Sequence, residues 1–160
     1  MKRGFTVIEL LVVISILAIM ATVGFAVYSG VTAKVRDGQR IKDLQVVKQA
    51  LELYRSDEHK YPATGDLNLA DITAPLDSDD GSRIYLSQIP IDINPNKRYF
   101  YAATPVSCNN TSQATACTGF VLCAKKDGSE STYTNIDCAN TSLVPLSSCG
   151  GDCDMGISSQ

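Results

Sequence analysis

Residues 4–28 read GFTVIELLVVISILAIMATVGFAVY, an almost continuous apolar stretch that contains a single carboxylate, Glu9. No charged residue occurs from Leu10 to Ala33. A carboxylate at the centre of a bilayer costs about 2.5–3.5 kcal/mol on insertion scales, so an acid inside such a stretch indicates a functional role. Glu9 is therefore the first candidate functional residue of the chain.

The length of this stretch is that of a membrane-spanning helix, which needs about 20 apolar residues. The segment from Phe5 to Tyr28 has 24 residues, and as a helix it would extend roughly 36 Å. Lys2 and Arg3 precede it, so the positive-inside rule places the amino terminus in the cytoplasm. The rest of the chain is then exported.

Two simpler interpretations of the segment explain less. A secretory signal peptide has an apolar core of about 7–15 residues and a small-x-small cleavage site, whereas this core is longer and contains no Ala-x-Ala triplet. A plain single-span anchor gives no reason for Glu9 or for the Gly4-Phe5 junction.

The segment Gly4-Phe-Thr-Val-Ile-Glu9-Leu-Leu-Val-Val-Ile-Ser resembles the class III signal of the type IV pilin family. That family includes type IV pilins and the pseudopilins of type II secretion and of competence systems. The resemblance implies that prepilin peptidase cleaves between Gly4 and Phe5, which removes a basic leader. It also implies that Phe5 becomes the new amino terminus and is N-methylated.

A physical role for Glu9 follows from that cleavage, because a positive amine would appear on Phe5. Glu9 lies one helical turn further along the same face, where the helix macrodipole also favours a carboxylate. Unpaired charges are costly in a membrane or filament core. The resemblance implies that Glu9 pairs with the Phe5 amine of an adjacent subunit and sets the axial register, and pairing within its own chain is the alternative.

From residue 29 the predicted helix becomes amphipathic. Apolar residues recur at steps of three or four, namely Ile41, Leu44, Val47, Leu51 and Tyr54. Charged residues take the remaining surface and are expected to face solvent, namely Arg36, Arg40, Lys42, Asp43, Lys48, Glu52 and Arg55. The helix should end around Asp57–Lys60, because Tyr61-Pro62 follows.

Three glycines, Gly24, Gly30 and Gly38, each lower the stability of the helix by up to about 1 kcal/mol relative to alanine. Gly24 and Gly30 are candidate points of bending during assembly, and close helix packing is the alternative. Many type IV pilins have a proline late in the apolar segment. This chain has none there, which leaves Gly24 as the weakest point.

The composition excludes several function classes. The 160 residues carry a net charge of −3, so no nucleic-acid-binding surface is indicated. The single histidine, His59, cannot supply a histidine-based metal or catalytic site, and no Ser/His/Asp or Cys/His set is present. We expect no enzyme activity, no cofactor and no metal.

All six cysteines follow residue 107, namely Cys108, Cys117, Cys123, Cys138, Cys149 and Cys153. An even number in a loop-rich, exported region predicts disulfides. A zinc site would need close pairs, and only Cys149 and Cys153 approach that spacing. The local pairs Cys108–Cys117 and Cys149–Cys153 are preferred, with other connectivities left open.

The region after the helix is predicted to be a small antiparallel sheet of three or four strands lying across the helix. Its predicted features are an irregular loop at 58–82, strands at 98–103, 119–125 and 131–137, a turn at 126–129, and a disulfide-stapled loop after Cys138. Asp77, Asp79 and Asp80 resemble half of a calcium loop, but Gln88 stands where its twelfth-position carboxylate belongs, so a turn is expected.

The predicted fold is thus α+β, with a leader at 1–4, a membrane or filament-core helix at 5–28, its amphipathic continuation at 29–58 and a head at 59–160. The resemblance implies a type IV pilus subunit, stored in the cytoplasmic membrane and polymerised outside the cell for adhesion, motility or DNA uptake. Its implied partners are other copies, the inner membrane, prepilin peptidase and the assembly machinery. The alternative is a pseudopilin of a type II secretion system, because Pro90–Asp92 and the aromatic strand after it resemble major pseudopilins.

Overall fold

A computed structural model of the chain describes residues 5–64, 66, 67, 69, 75–128, 138, 149 and 153–159. One long helix, α1 (Val7–Glu58), precedes a small β head. The strands of the head are β1 (Leu76–Asp77), β2 (Ile84–Leu86), β3 (Phe100–Thr104), β4 (Gly119–Ala124) and β5 (Met155–Ser158). The chain therefore has the predicted α+β fold, a long amino-terminal helix on an antiparallel sheet.

Helix α1 has 52 residues and so extends roughly 78 Å. It ends after Glu58, where His59 adopts the left-handed conformation with φ of 59° and its N–H donates to the Arg55 carbonyl oxygen at 2.9 Å. This geometry caps one of the free carbonyl groups at the helix end. The predicted end around Asp57–Lys60 is confirmed.

The second half of α1 packs on the head through the predicted apolar stripe. Leu44, Val47, Leu51 and Tyr54 are buried, and Ile41 is partly buried against them. Their partners from the head include Tyr61, Ile89, Tyr101, Phe120, Leu122 and Met155. Because each large apolar side chain contributes about 1.5–3 kcal/mol on full burial, this stripe holds the head on the helix.

Two antiparallel sheets form the head: the hairpin β1-β2 and a three-stranded sheet in the order β3-β4-β5. The predicted strands at 98–103 and 119–125 correspond to β3 and β4. The predicted strand at 131–137 lies outside the described residues. The prediction of a loop throughout the tail was wrong, because Met155–Ser158 forms β5 along β4.

Both faces of β4 are buried. Phe120, Leu122 and Ala124 face the core that includes α1, whereas Val121 and Cys123 face a second cluster. That second cluster consists of Val121, Cys123, Cys138, Cys149 and Cys153, with Phe100 against it. The cysteine-rich tail thus supplies the layer that covers the back of the sheet.

All six cysteines are in disulfides, and no free thiol remains. Cys108 is bonded to Cys117 and Cys149 to Cys153, which are the two local pairs that the sequence favours. The third bond joins Cys123 on β4 to Cys138 across a separation of 15 residues. Two of the three bonds therefore lie in the layer behind the sheet, where they stabilise a small core.

The prediction of an irregular loop over 58–82 was wrong for its last part, where the hairpin begins. Leu76 is buried and pairs with Leu86. In the turn, the Asp80 carboxylate accepts hydrogen bonds from the Ser78 hydroxyl at 2.7 Å and from the Ser82 N–H at 3.0 Å. Of the three aspartates that resemble a calcium loop, Asp80 therefore shapes the turn, and Asp79 accepts hydrogen bonds from Tyr54 and Lys60.

Candidate functional site

The start of α1 is a capping box formed by Thr6 and Glu9. The Thr6 side chain accepts a hydrogen bond from the Glu9 N–H at 3.3 Å. The Glu9 carboxylate oxygen Oε2 accepts two bonds in return, from the Thr6 N–H at 2.9 Å and from the Thr6 hydroxyl at 2.7 Å. This reciprocal arrangement satisfies donors that a helix start otherwise leaves unpaired.

Thr6 has no role in the prediction from sequence, which paired Glu9 only with the Phe5 amine. The signal was present as Thr6-x-x-Glu9, the capping-box spacing before an apolar run. Gly4 lies outside the described residues, and Phe5 is 80% exposed. Both Thr6 bonds end on Oε2, so Oε1 of the same carboxylate accepts no hydrogen bond from the residues that the structure describes.

Beyond Glu9, the first half of α1 exposes an apolar surface all around the helix. Of the side chains described from Phe5 to Arg36, all except Thr32 and Ala33 are exposed. By length and composition, α1 is the one helix in the described part of the chain that could cross a membrane. Exposed apolar surface on this scale marks a site of contact with a membrane or another protein.

Helix α1 continues without a break through Gly24 and Gly30. A Cβ atom added at either glycine would meet nothing within 4 Å in its own chain. Close packing at these glycines could therefore come only from another molecule. Their role in bending or in packing stays a prediction.

At the edge of the head nearest the apolar half of α1, a buried cluster of charges fastens α1 to two loops. The Arg40 side chain is 2% exposed. Its Nε donates to the Asp92 carboxylate at 2.5 Å and its Nη2 donates to the other oxygen at 2.9 Å. Nη1 lies 2.7 Å from Asp37 and 3.1 Å from Asp127.

The carboxylates of this cluster make further bonds that tie the loops together. The Asp37 carboxylate accepts from the N–H groups of Asp127 at 2.8 Å and of Gly128 at 2.9 Å. The Lys97 ammonium pairs with Asp127 and also donates to the Lys126 carbonyl oxygen at 3.1 Å. The expectation that Arg40 lies on a solvated charged face was wrong, because these carboxylates compensate its burial.

The described part of the chain holds no group of three or more His, Cys, Asp or Glu side chains placed to bind a metal ion. His59 is exposed at the helix end, and the cysteines are oxidised. What the described residues do offer is an exposed apolar helix surface, one acid near its start and a disulfide-bonded head.

Comparison with known proteins supports this interpretation. Residues 1–25 match the family model described as the prokaryotic N-terminal methylation motif. The chain is 30% identical over 95 residues to the type II secretion system core protein G of Escherichia coli (strain K12), covering 57% of this chain and 66% of that one. No solved structure matches the chain significantly.

Two further relatives carry the same name. The identity is 32% with the core protein G of Pectobacterium carotovorum subsp. carotovorum, over 46% of this chain and 47% of that protein. It is 34% with that of Klebsiella pneumoniae, over 46% of this chain and 53% of that protein. The matched region thus spans between about half and 66% of these relatives. With its methylation motif, its long apolar helix and its antiparallel head, the chain belongs to the family of type IV pilins and type II secretion pseudopilins.

Proposed function

We propose that this chain is a pseudopilin, a structural subunit that polymerises into the pseudopilus of a type II secretion system. The observation that carries polymerisation is the exposed apolar half of α1, which no described residue of the same chain covers. The names of the relatives point to secretion. They favour the secretion pseudopilin, which was the alternative prediction from the sequence. The first prediction from the sequence was a type IV pilus subunit.

The proposed maturation follows from the residues at the start of the chain. Prepilin peptidase would cleave between Gly4 and Phe5, and the methylation motif supports N-methylation of Phe5. Before assembly, α1 would hold the subunit in the cytoplasmic membrane, with its amino terminus in the cytoplasm. The head would lie in the periplasm, where the three disulfides can form and persist.

The proposed assembly step transfers the apolar half of α1 from lipid to the helices of other copies. Glu9 then needs a cationic partner, because lipid and filament core both penalise an unpaired carboxylate. The Phe5 amine of a neighbouring copy supplies that partner. The subunit acts by packing and register rather than by catalysis.

The experiment that tests the proposal is an in-frame deletion of the gene in its native cell. We expect secreted enzymes to accumulate in the periplasm while surface pili and surface motility stay as in the parent strain. Complementation with the full chain should restore secretion, whereas complementation with Gly4→Glu, which blocks leader removal, should not. Loss of surface pili with normal secretion would contradict the pseudopilus and support the type IV pilus.

A further inference from the structure

Two surfaces on the head pair apolar and charged groups in complementary ways. The first, the base surface, consists of Ile91, Ile93 and Arg98. The second, the top surface, consists of Asp77 and Ile84. Both charged side chains are exposed, and neither forms an ion pair or side-chain hydrogen bond with any residue that the structure describes.

The base surface exists because of the buried Arg40 cluster. In the sequence Ile91-Asp92-Ile93, the acid points inward and bonds to Arg40, so both isoleucines point outward and are 57% and 66% exposed. Beside them is an open depression of about 350 Å³, lined by the apolar groups of Leu69, Ile91, Pro95 and Tyr99 and by the charged residues Asp92, Lys97 and Arg98. Arg98 is the exposed cation of this lining, so the base surface offers a mixed recess with a guanidinium at its edge.

The top surface lies on the β1-β2 hairpin. Asp77 and Ile84 are directly opposite each other in the antiparallel pair, so their side chains share one face of the hairpin. Ile84 is 60% exposed. The top surface therefore presents the exposed Ile84 side chain beside the Asp77 carboxylate. These two groups complement the depression and the Arg98 guanidinium of the base surface.

The two surfaces cannot meet within one chain. Asp92 bonds to Arg40, whereas the Tyr85 hydroxyl next to Ile84 donates to Asp57 at 2.9 Å. Between Arg40 and Asp57, α1 rises by roughly 25 Å. A contact between unlike surfaces of identical subunits generates a ring where the rotation closes and an open, helical polymer where it does not, rather than a two-fold dimer.

We propose that the base surface of one copy docks on the top surface of a second copy, with Ile84 in the depression and Asp77 paired with Arg98. This inference rests on the proposed function, because parallel copies shifted along a filament axis bring the base of one head to the top of another. It adds a contact between heads to the helix packing below them.

Charge reversal in the full chain, expressed with its assembly machinery, tests the contact. Arg98→Glu and Asp77→Arg each place like charges together, and we expect the yield of sheared filaments to fall at least about tenfold in each. The double variant restores the opposite charges and should recover most of the yield. Lys42→Glu, a reversal at an exposed cation on α1 outside both surfaces, is the matched control and should assemble normally.

Substitution of Ile84 gives a second, independent test of the contact. Ile84→Ser should lower the filament yield, whereas Val106→Ser, at a similarly exposed valine, should not. Immunoblots of the mature chain check that every variant accumulates. If the wild-type chain forms no filament, the proposed function fails. If the wild-type chain forms filaments, two outcomes would show that only this contact is wrong. The first is that Arg98→Glu or Ile84→Ser assembles as well as the wild type, and the second is that the double variant gains nothing over the single variants.

Discussion

Glu9 and Arg40 are both charged residues on one helix, but the structure compensates them in different ways. Thr6 bonds to Glu9 locally, across one turn, and leaves one carboxylate oxygen for a partner from outside the chain. The partners of Arg40 come from its own helix and from two distant loops, so its charge is compensated inside the head. The first residue is thus suited to assembly and the second to holding the fold together.

Removing Arg40 should destabilise the head, because three carboxylates would lose the buried guanidinium that they share. We expect Arg40→Ala to lower the free energy of unfolding by about 3–5 kcal/mol. Arg40→Lys should recover only part of this loss, because a compact ammonium lacks the planar fork with which the guanidinium reaches Asp92, Asp37 and Asp127 at once. Thermal unfolding of the full chain in detergent, followed by near-ultraviolet circular dichroism, measures both effects.

Lys42→Ala, an exposed cation on the same helix, is the control and should change stability by less than about 0.5 kcal/mol. An Arg40→Ala variant as stable as the control would show that the cluster adds nothing to stability.

The sequence could not reveal the role of Arg40 by periodicity. Its main partner, Asp92, lies 52 residues away, and helical spacing describes only neighbours on one helix. The run Ile91-Asp92-Ile93 alternates, but alternation alone does not say which face is buried. Burial of the acid and exposure of the isoleucines depend on Arg40, a tertiary contact.

At the scale of elements, the strong periodic signal predicted α1 correctly, whereas the short strand β5 was not predicted. The bounds of α1 and its apolar stripe follow from 3.6-residue periodicity and from Tyr61-Pro62. In contrast, β5 has four residues and exists because β4 offers a free edge and the Cys149–Cys153 bond directs the tail toward it. Such a strand is stabilised by distant partners, so local sequence carries little sign of it.

The loops that join the head to α1 are held by carboxylates whose protonation should weaken the fold. Bonds from Ser78 and Ser82 lower the pKa of Asp80 to about 2. Bonds from Lys60 and then Tyr54 lower the pKa of Asp79. Burial alone would raise the pKa of Asp127, but its bonds with Lys97 and Arg40 outweigh that effect and lower it.

Each of these aspartates has a lower pKa in the folded chain than the ordinary value of about 3.9. Their contribution to the free energy of unfolding is therefore present above the unfolded pKa of about 3.9 and is lost as the pH falls through the lower folded pKa. We expect the midpoint of thermal unfolding to fall between pH of about 4 and about 2. Asp80→Asn should flatten that dependence, and an unchanged slope in this variant would contradict the assignment.

At the scale of the whole molecule, the chain divides into a part that buries its own apolar side chains and a part that leaves them exposed. The head and the second half of α1 bury a shared core and a disulfide layer. The first half of α1 exposes apolar side chains along its described length. The fold class and this division were predictable from sequence, because hydrophobicity and cysteine placement are global signals. The sequence could not distinguish a secretion pseudopilin from a surface pilus subunit, because both filaments require the same exposed helix.

Cryo-electron microscopy of filaments assembled from this chain tests the central claim most directly. We predict that residues 5–35 of neighbouring copies pack against one another and that each chain begins at Phe5. The Glu9 carboxylate should lie within about 4 Å of the Phe5 amine of a neighbouring copy. Filaments in which the helices of different copies do not touch, or in which Glu9 contacts only its own Thr6, would contradict the account.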